Sequence, residues 1–218
     1  MIRRALLALG LTLLLATPAA AAETVADQVF GSGPFAGVSE PGHLRYRFEM
    51  TGKEIQPPFS SHIDLDVREI AADGAKSVFV DMFDGPNRRA FGPIAAMDQN
   101  PLVLVFLQRD VTQMANLTGG AAAYFQQQVR RGFSGPAEVE PYEVTLGEQK
   151  LAGRRVVMKP FADDPNIDRF PQFKSKSYEF VLAEGVPGGI YRMSSLVPGP
   201  DGGPPILQET ITFEERAP

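Results

Sequence analysis

Residues 100–132 are the one long stretch of this sequence whose pattern favours helix, and the segments on either side alternate with the period of two typical of strands. Asn100 is a preferred N-cap residue, and Pro101 suits the first helical position because its missing N–H would have no partner there. Gly119-Gly120 divides the stretch into two helices. The sequence therefore predicts an α+β fold in which a helical hairpin packs on one antiparallel sheet.

The first helix of this hairpin carries a predicted apolar stripe. The stripe recurs at helical spacing and comprises Leu104, Leu107, Val111 and Met114. We expect this stripe to be buried, with Arg109, Asp110 and Gln113 facing away from the core. Gly132 is predicted to end the second helix as its C′ residue. Gly119-Gly120 is a potential hinge, which leaves open whether the hairpin is a mobile lid or a fixed plug.

Period-two alternation defines the predicted strands. In the first of them, the apolar residues Leu44, Tyr46, Phe48 and Met50 alternate with charged residues, as in a half-buried strand. The same alternation returns at residues 63–67, 142–146, 178–182 and 207–213. Because no repeat or change in composition marks a boundary, we expect residues 23–218 to form a single domain.

The N-terminal residues 1–22 have the three parts of a secretory signal peptide. Arg3 and Arg4 precede an apolar run, and small residues from Thr17 to Ala22 follow it. The run is shorter than the roughly 20 residues of a membrane-spanning helix, so cleavage before Glu23 is expected rather than anchoring. We expect no transmembrane segment in the mature chain.

Charge and cysteine content narrow the compartment and the partners. The net charge is −5, and loss of Arg3 and Arg4 with the leader would make it about −7. Such a chain does not suit nonspecific binding of nucleic acid or adhesion to anionic headgroups. The sequence contains no cysteine, so it cannot carry the acyl chains of a lipoprotein. Export without cysteine favours the bacterial periplasm.

Sites for catalysis, cofactors and metals are poorly supported by the sequence. His43 and His62 are the two histidines, and the sequence has no G-x-S-x-G nucleophile motif to pair with either. Residues 164–168 begin with calcium-loop spacing, but Arg169 replaces the glycine such a loop requires, so we expect a solvated acidic loop. We therefore expect no enzyme activity, no cofactor and no metal site.

Two arginine pairs could hold an anion. These are Arg88-Arg89 and Arg154-Arg155, and within each pair the two residues alternate across a predicted strand. Only one arginine of each pair can therefore point inward. The alternative is ordinary surface charge.

Aromatic residues and methionines come from almost every predicted element. They either fill a solid core between sheet and helices or line an apolar cavity for a lipid, to which flexible methionines adapt well. The predicted ligand-binding residues are Tyr46, Phe48, Val80, Met82, Phe106, Val111, Phe125 and Phe180.

The order of these elements resembles a known family. A leader, several antiparallel strands, a helical insertion in mid-chain and a C-terminal meander ending at residues 207–213 are similar to the periplasmic lipoprotein-carrier (LolA/LolB-like) family. The resemblance implies a half-barrel, that is, a single curved antiparallel sheet with the hairpin on its concave face. It also implies a periplasmic protein that binds a lipid or acylated ligand. A solid-cored envelope protein that binds a protein partner is the alternative, and an unrecognised hydrolase using His43 or His62 is the third.

Overall fold

The structure is a computed structural model that describes residues 23–31, 33–53 and 55–217. The predicted signal peptide, residues 1–22, lies outside the described residues. The described strands are β1 Gly42–Gly52, β2 Ile55–Ile70, β3 Lys76–Met82, β4 Arg89–Ala96, β5 Glu138–Leu146, β6 Gln149–Met158, β7 Ser177–Leu182, β8 Ile190–Val197 and β9 Leu207–Ala217. The described α-helices are α1 Val25–Phe30, α2 Pro101–Thr118 and α3 Ala122–Ser134. In this part of the chain no helix is both long and apolar enough to cross a membrane.

All the described strands belong to one antiparallel sheet in the order β4-β3-β2-β1-β9-β8-β7-β6-β5. Pairing of β1 with β9 joins the first strands of the chain to the last. The edge strands are β4 and β5, and the segment that connects them is α2 followed by α3. The hairpin must therefore cross the sheet from one edge to the other. This architecture, an open curved sheet with the hairpin on its concave face, confirms the predicted α+β fold.

The predicted start and break of the hairpin are confirmed. Asn100 caps α2, because its Oδ1 accepts a hydrogen bond from the Leu102 amide at 3.0 Å. The Asn100 Nδ2 donates to the Tyr46 hydroxyl and to the Gly188 carbonyl, each at 3.2 Å, which fixes the helix start on the sheet. Gly119 ends α2 with φ +66°, a left-handed conformation that favours glycine.

The predicted end of α3 is wrong. Gly132 lies inside the helix, which continues to Ser134. A Cβ at Gly132 would come within 2.6 Å of the Met158 Sδ. The glycine at this position allows α3 to approach β6 closely, so it serves packing rather than helix termination.

The predicted faces of α2 are partly wrong. Leu104 is 55% exposed, whereas Asp110, which we expected in solvent, is completely buried. The buried side chains of α2 after its first residue are Leu102, Val103, Phe106, Leu107, Asp110, Val111 and Met114. Periodicity alone excludes an aspartate from such a stripe, since a buried carboxylate requires partners that the sequence pattern does not reveal.

Those partners form a cluster that we call the Asp110 network, comprising Asp110, Lys176, Tyr178 and Ser195. The Lys176 Nζ lies 2.9 Å from the Asp110 Oδ1, and the Ser195 hydroxyl donates to the same oxygen at 2.8 Å. The Tyr178 hydroxyl donates to the other carboxylate oxygen. All four residues are buried. Since Tyr178 is on β7 and Ser195 is on β8, the network holds the middle of α2 against the sheet.

The prediction that residues 164–168 form a solvated loop is partly wrong, because this stretch and the residues around it, 163–173, place several side chains in the interior. Asp164 is buried and accepts hydrogen bonds from the Tyr124 hydroxyl and from the Gln128 Nε2 on α3. Burial, followed by the Asp164 carboxylate, raises the pKa of Tyr124 to about 12. The apolar side chains of this segment that are buried in the core are Ile167, Phe170 and Phe173. The loop therefore packs against α3 and supports it.

Candidate functional site

The candidate site in the described structure is an apolar groove beside α2. It has a volume of about 570 Å³, within the roughly 300–1,000 Å³ usual for small-ligand pockets. We call it the α2 groove. Its apolar lining consists of Met50, Met82, Phe83, Phe91, Leu104 and Val105. Its polar lining consists of Arg89, Gln108, Arg109, Thr112, Gln113 and Asn116.

The groove exists because an edge strand is left uncovered. One wall is a face of α2 that runs through residues 104–116, turned away from the buried stripe. The other wall is the concave face of β3 and β4. Arg89 pairs with Met82 across these strands, so both side chains point to the concave face. Phe91 on β4 remains 43% exposed there, because the hairpin does not cover it.

Arg109 forms the floor of the α2 groove. Its side chain is 24% exposed and forms an ion pair with the completely buried Glu209 on β9. Its guanidinium also lies 5.0 Å from the Phe48 ring centre and 5.6 Å from that of Phe83. The Nη2 is 3.9 Å from the Met50 sulfur, a weak acceptor. Arg109 thus lines the groove and also contacts the core, and its positive charge is neutralised by Glu209.

Glu209 is held in an unusual environment for a carboxylate. Its Oε2 has no hydrogen-bond partner among the described residues. Burial raises the pKa of Glu209 above its ordinary value; the nearby Asp110 carboxylate adds to this shift, and Arg109 opposes it. The ion pair with Arg109 therefore does not fully offset the cost of removing the Glu209 carboxylate from water.

A second groove, of about 450 Å³, lies between α2 and α3. Leu104 and Gln108 on α2 line both grooves, so these two side chains form the ridge that separates the α2 groove from the second groove. The remaining residues of the second groove are Phe30, Leu107, Val111, Gln126, Val129, Arg130, Phe133 and Ser134. The exposed side chain of Leu104 therefore contributes apolar surface to both grooves.

The eight predicted ligand-binding residues divide between these grooves and the core. Met82 lines the α2 groove and Val111 lines the second groove. The six others are completely buried: Tyr46, Phe48, Val80, Phe106, Phe125 and Phe180. Their contacts are with the protein itself; for example, Phe106 packs edge-on against Tyr178 at 6.3 Å and Phe180 packs against Phe133 at 5.7 Å. A ligand-binding role for these six stays a prediction, and it would require the hairpin to move.

Sequence reasoning missed the residues that make the groove accessible. Leu104 fits the apolar stripe of α2, and Phe91 fits an ordinary strand, so neither stands out from periodicity. The available signal was topological: a strand that precedes a long crossover ends the run of hairpins and lies at an edge of the sheet. Its concave side chains, Arg89 and Phe91, are then candidates for exposure.

Three pairs of side chains resemble parts of catalytic sites, namely two His-Asp pairs and one Ser-Lys pair. His62 Nδ1 lies 3.1 Å from Asp84 and His43 Nδ1 lies 3.7 Å from Asp66, and neither ring hydrogen-bonds a serine hydroxyl in the described structure. Ser195 and Lys176 do form a Ser-Lys contact. Both are enclosed in the core, at 1% and 0% exposure, where Lys176 neutralises Asp110 and Ser195 donates a hydrogen bond to it, so neither side chain is accessible to a substrate in this structure.

Comparison with known proteins adds a likeness to solved structures. No protein-family model matches the chain, and no curated protein sequence matches it. A solved structure to which it is similar is the lipoprotein LppX of Mycobacterium tuberculosis, with a TM-score of 0.38 and 10% sequence identity. The alignment covers 88% of this chain and 94% of LppX. A likeness at this level says nothing about the ligand or the chemistry of the α2 groove.

Proposed function

We propose that this chain is an exported, non-enzymatic protein that binds a hydrophobic or acylated ligand in the α2 groove. The observation that carries the proposal is the open apolar wall formed by Met82, Phe91, Leu104 and Val105 beside a helix fixed to the sheet. Apolar side chains that line a concave surface favour binding of an apolar ligand, because binding removes their surface from water.

The position of the groove removes the need for a lid. The Asp110 network and the Asn100 cap hold α2 at two points, so opening the hairpin would expose buried charges as well as the core. A ligand that lies beside α2 avoids that cost. In this proposal the hairpin is a plug, and its outer face forms one wall of the site.

The test is binding of N-phenyl-1-naphthylamine, a neutral apolar fluorophore, to delipidated protein. Val105→Phe places a ring in the α2 groove and should weaken binding at least about tenfold, or about 1.4 kcal/mol. Val139→Phe is the matched control, since Val139 is exposed on β5 and lines neither groove. Absence of fluorophore binding, or equal effects of the two variants, would overturn the proposed site.

Native mass spectrometry gives a second and independent test. Protein purified from its own periplasm should carry a lipid that is released by solvent extraction and rebound by the delipidated protein. A protein that neither retains nor rebinds any acyl compound would contradict the proposal.

The export part of the proposal rests on Arg3, Arg4 and the apolar run that follows. N-terminal sequencing of the protein from the periplasmic fraction should give Glu23 as the first residue. Recovery of the intact chain from the cytoplasm only would contradict export.

A protein partner is the second candidate, and the exposure of α2 favours it. Leu104 and Leu117 on this helix are 55% and 63% exposed, and Met97 just before it is 52% exposed. A partner from the envelope could cover this surface. Reduced binding of that partner by Leu117→Ser, with fluorophore binding unchanged, would favour this candidate over the ligand.

A further inference from the structure

The charge of the α2 groove is opposite to that of the chain. The sequence has 26 acidic and 21 basic residues, yet the described groove lining contains two arginines and no carboxylate. Its other polar side chains are amides and one hydroxyl. An apolar groove with a local positive charge differs from the negative surface expected of this composition, and it suits an anion.

Arg89 supplies the charge that is not neutralised. Arg109 is paired with Glu209, whereas Arg89 has no carboxylate within 4 Å among the described residues. The Arg89 Nη1 donates to the backbone carbonyl of Arg88 at 2.8 Å, which orients the side chain without cancelling its charge. The guanidinium retains further N–H donors for a ligand.

The neighbouring residue Arg88 shows the contrast. It lies just before β4, and its Nη2 donates to the Asp81 carboxylate at 2.8 Å. Asp81 alternates with Met82 along β3 and therefore points to the convex face. The two arginines are thus divided between an ion pair on the convex side and the groove on the concave side.

We propose that the ligand of the α2 groove is an anionic amphiphile whose carboxylate or phosphate is bound by Arg89. This inference rests on the proposed function, since it assumes that an alkyl chain occupies the apolar wall. A guanidinium binds either anion through two parallel hydrogen bonds. The alkyl chain then lies along Met82, Phe91 and Val105, which share the groove with Arg89.

The amide groups of Gln108 and Gln113 complete the polar side of the site. Both line the groove on α2, five positions or about 1.4 helical turns apart. The Arg109 Nη1 donates to the Gln113 Oε1 at 3.3 Å, which leaves the Gln113 Nε2 with the Met50 sulfur, a weak acceptor, at 3.9 Å. An anionic oxygen would be a better acceptor for this group.

The experiment compares three competitors with twelve-carbon chains that displace N-phenyl-1-naphthylamine: laurate, dodecyl phosphate and methyl laurate. At least one anion should bind about tenfold more tightly than the neutral ester, the effect of one charge-assisted contact. Arg89→Gln should remove this preference, so that the anions bind this variant no more tightly than methyl laurate does. Arg88→Gln is the matched control and should keep the preference. A preference for laurate identifies a carboxylate headgroup, and a preference for dodecyl phosphate identifies a phosphate.

The outcomes separate this inference from the proposed function. If the fluorophore does not bind at all, the proposed function fails. If the fluorophore and methyl laurate bind but neither anion binds more tightly, the groove binds apolar ligands and the anionic assignment is overturned. A preference for anions that survives Arg89→Gln would also overturn the assignment to Arg89.

Discussion

Lys176 shows how much of the fold depends on one buried charge. It is completely buried, and its Nζ lies 2.9 Å from the Asp110 carboxylate, which is 1% exposed. Loss of one partner leaves the other charge buried and unpaired. The same four-residue network also determines how firmly α2 is held.

Lys176→Met should therefore lower the free energy of unfolding by about 3–5 kcal/mol, measured by denaturant titration. Lys150→Met is the control, because Lys150 forms an exposed pair with Glu143 and should cost less than about 1 kcal/mol. The double variant Asp110→Leu/Lys176→Met should recover much of the loss, since it removes both charges. Equal stability of the two single variants would contradict this role of the network.

Glu209 gives a pH-dependent prediction at the same scale. Because its pKa is raised in the folded protein, its contribution to stability is fully present below the unfolded-state pKa of about 4.3 and is lost as the pH rises through its folded pKa. The variant Glu209→Gln cannot ionise at this position, so it does not lose this contribution to stability as the pH rises. The stability of the variant relative to the original protein should therefore increase as the pH rises from about 4 to 7.

Glu179 provides the control of opposite sign. Burial raises its pKa, but hydrogen bonds from Arg155 and Arg192 outweigh this effect and hold the pKa below its ordinary value. Its contribution is present above the unfolded-state pKa and is lost as the pH falls through the folded pKa. Glu179→Gln should therefore lose stability relative to the original protein as the pH rises from about 3 to 5. The same slope for both variants would contradict these assignments.

At the scale of elements, the ends of the helices in the hairpin can be predicted from the sequence better than their buried faces can. Its start at Pro101 and its break at Gly119 follow from local chemistry, a cap and a left-handed glycine, and both are confirmed. Its faces are less predictable, because Asp110 is buried only through residues that follow it by 66 positions or more. Periodicity cannot identify such distant partners.

Hydrogen exchange tests whether the hairpin is a plug. If the Asp110 network fixes α2, the amides of residues 106–111 should exchange only through global unfolding, with the same free energy as the protected strands. Addition of an acyl ligand should not alter the mechanism of their exchange. Exchange of these amides at a much lower free energy, while β1 and β9 stay protected, would indicate a lid.

At the scale of the whole molecule, the sheet order positions the site. The chain leaves one edge of the sheet at β4 and enters the other at β5, so α2 begins beside β4 and lies across the concave face. The alternating strands predict one sheet, and the helical pattern predicts the element that fills its hollow. Where the edge strand is left uncovered depends on the exact placement of α2, which periodicity does not determine. The predicted residues therefore fall mainly in the core, and the α2 groove lies beside them.

The most direct test of the central claim, that the ligand lies beside a fixed hairpin, is photoaffinity labelling with a twelve-carbon diazirine amphiphile. Labelled residues are located by mass spectrometry, with excess unlabelled laurate as the competitor. Saturable labelling at Phe91, Leu104 and Val105 is the predicted result. Saturable labelling at Tyr46, Phe125 or Phe180, which requires the hairpin to open, would contradict the claim.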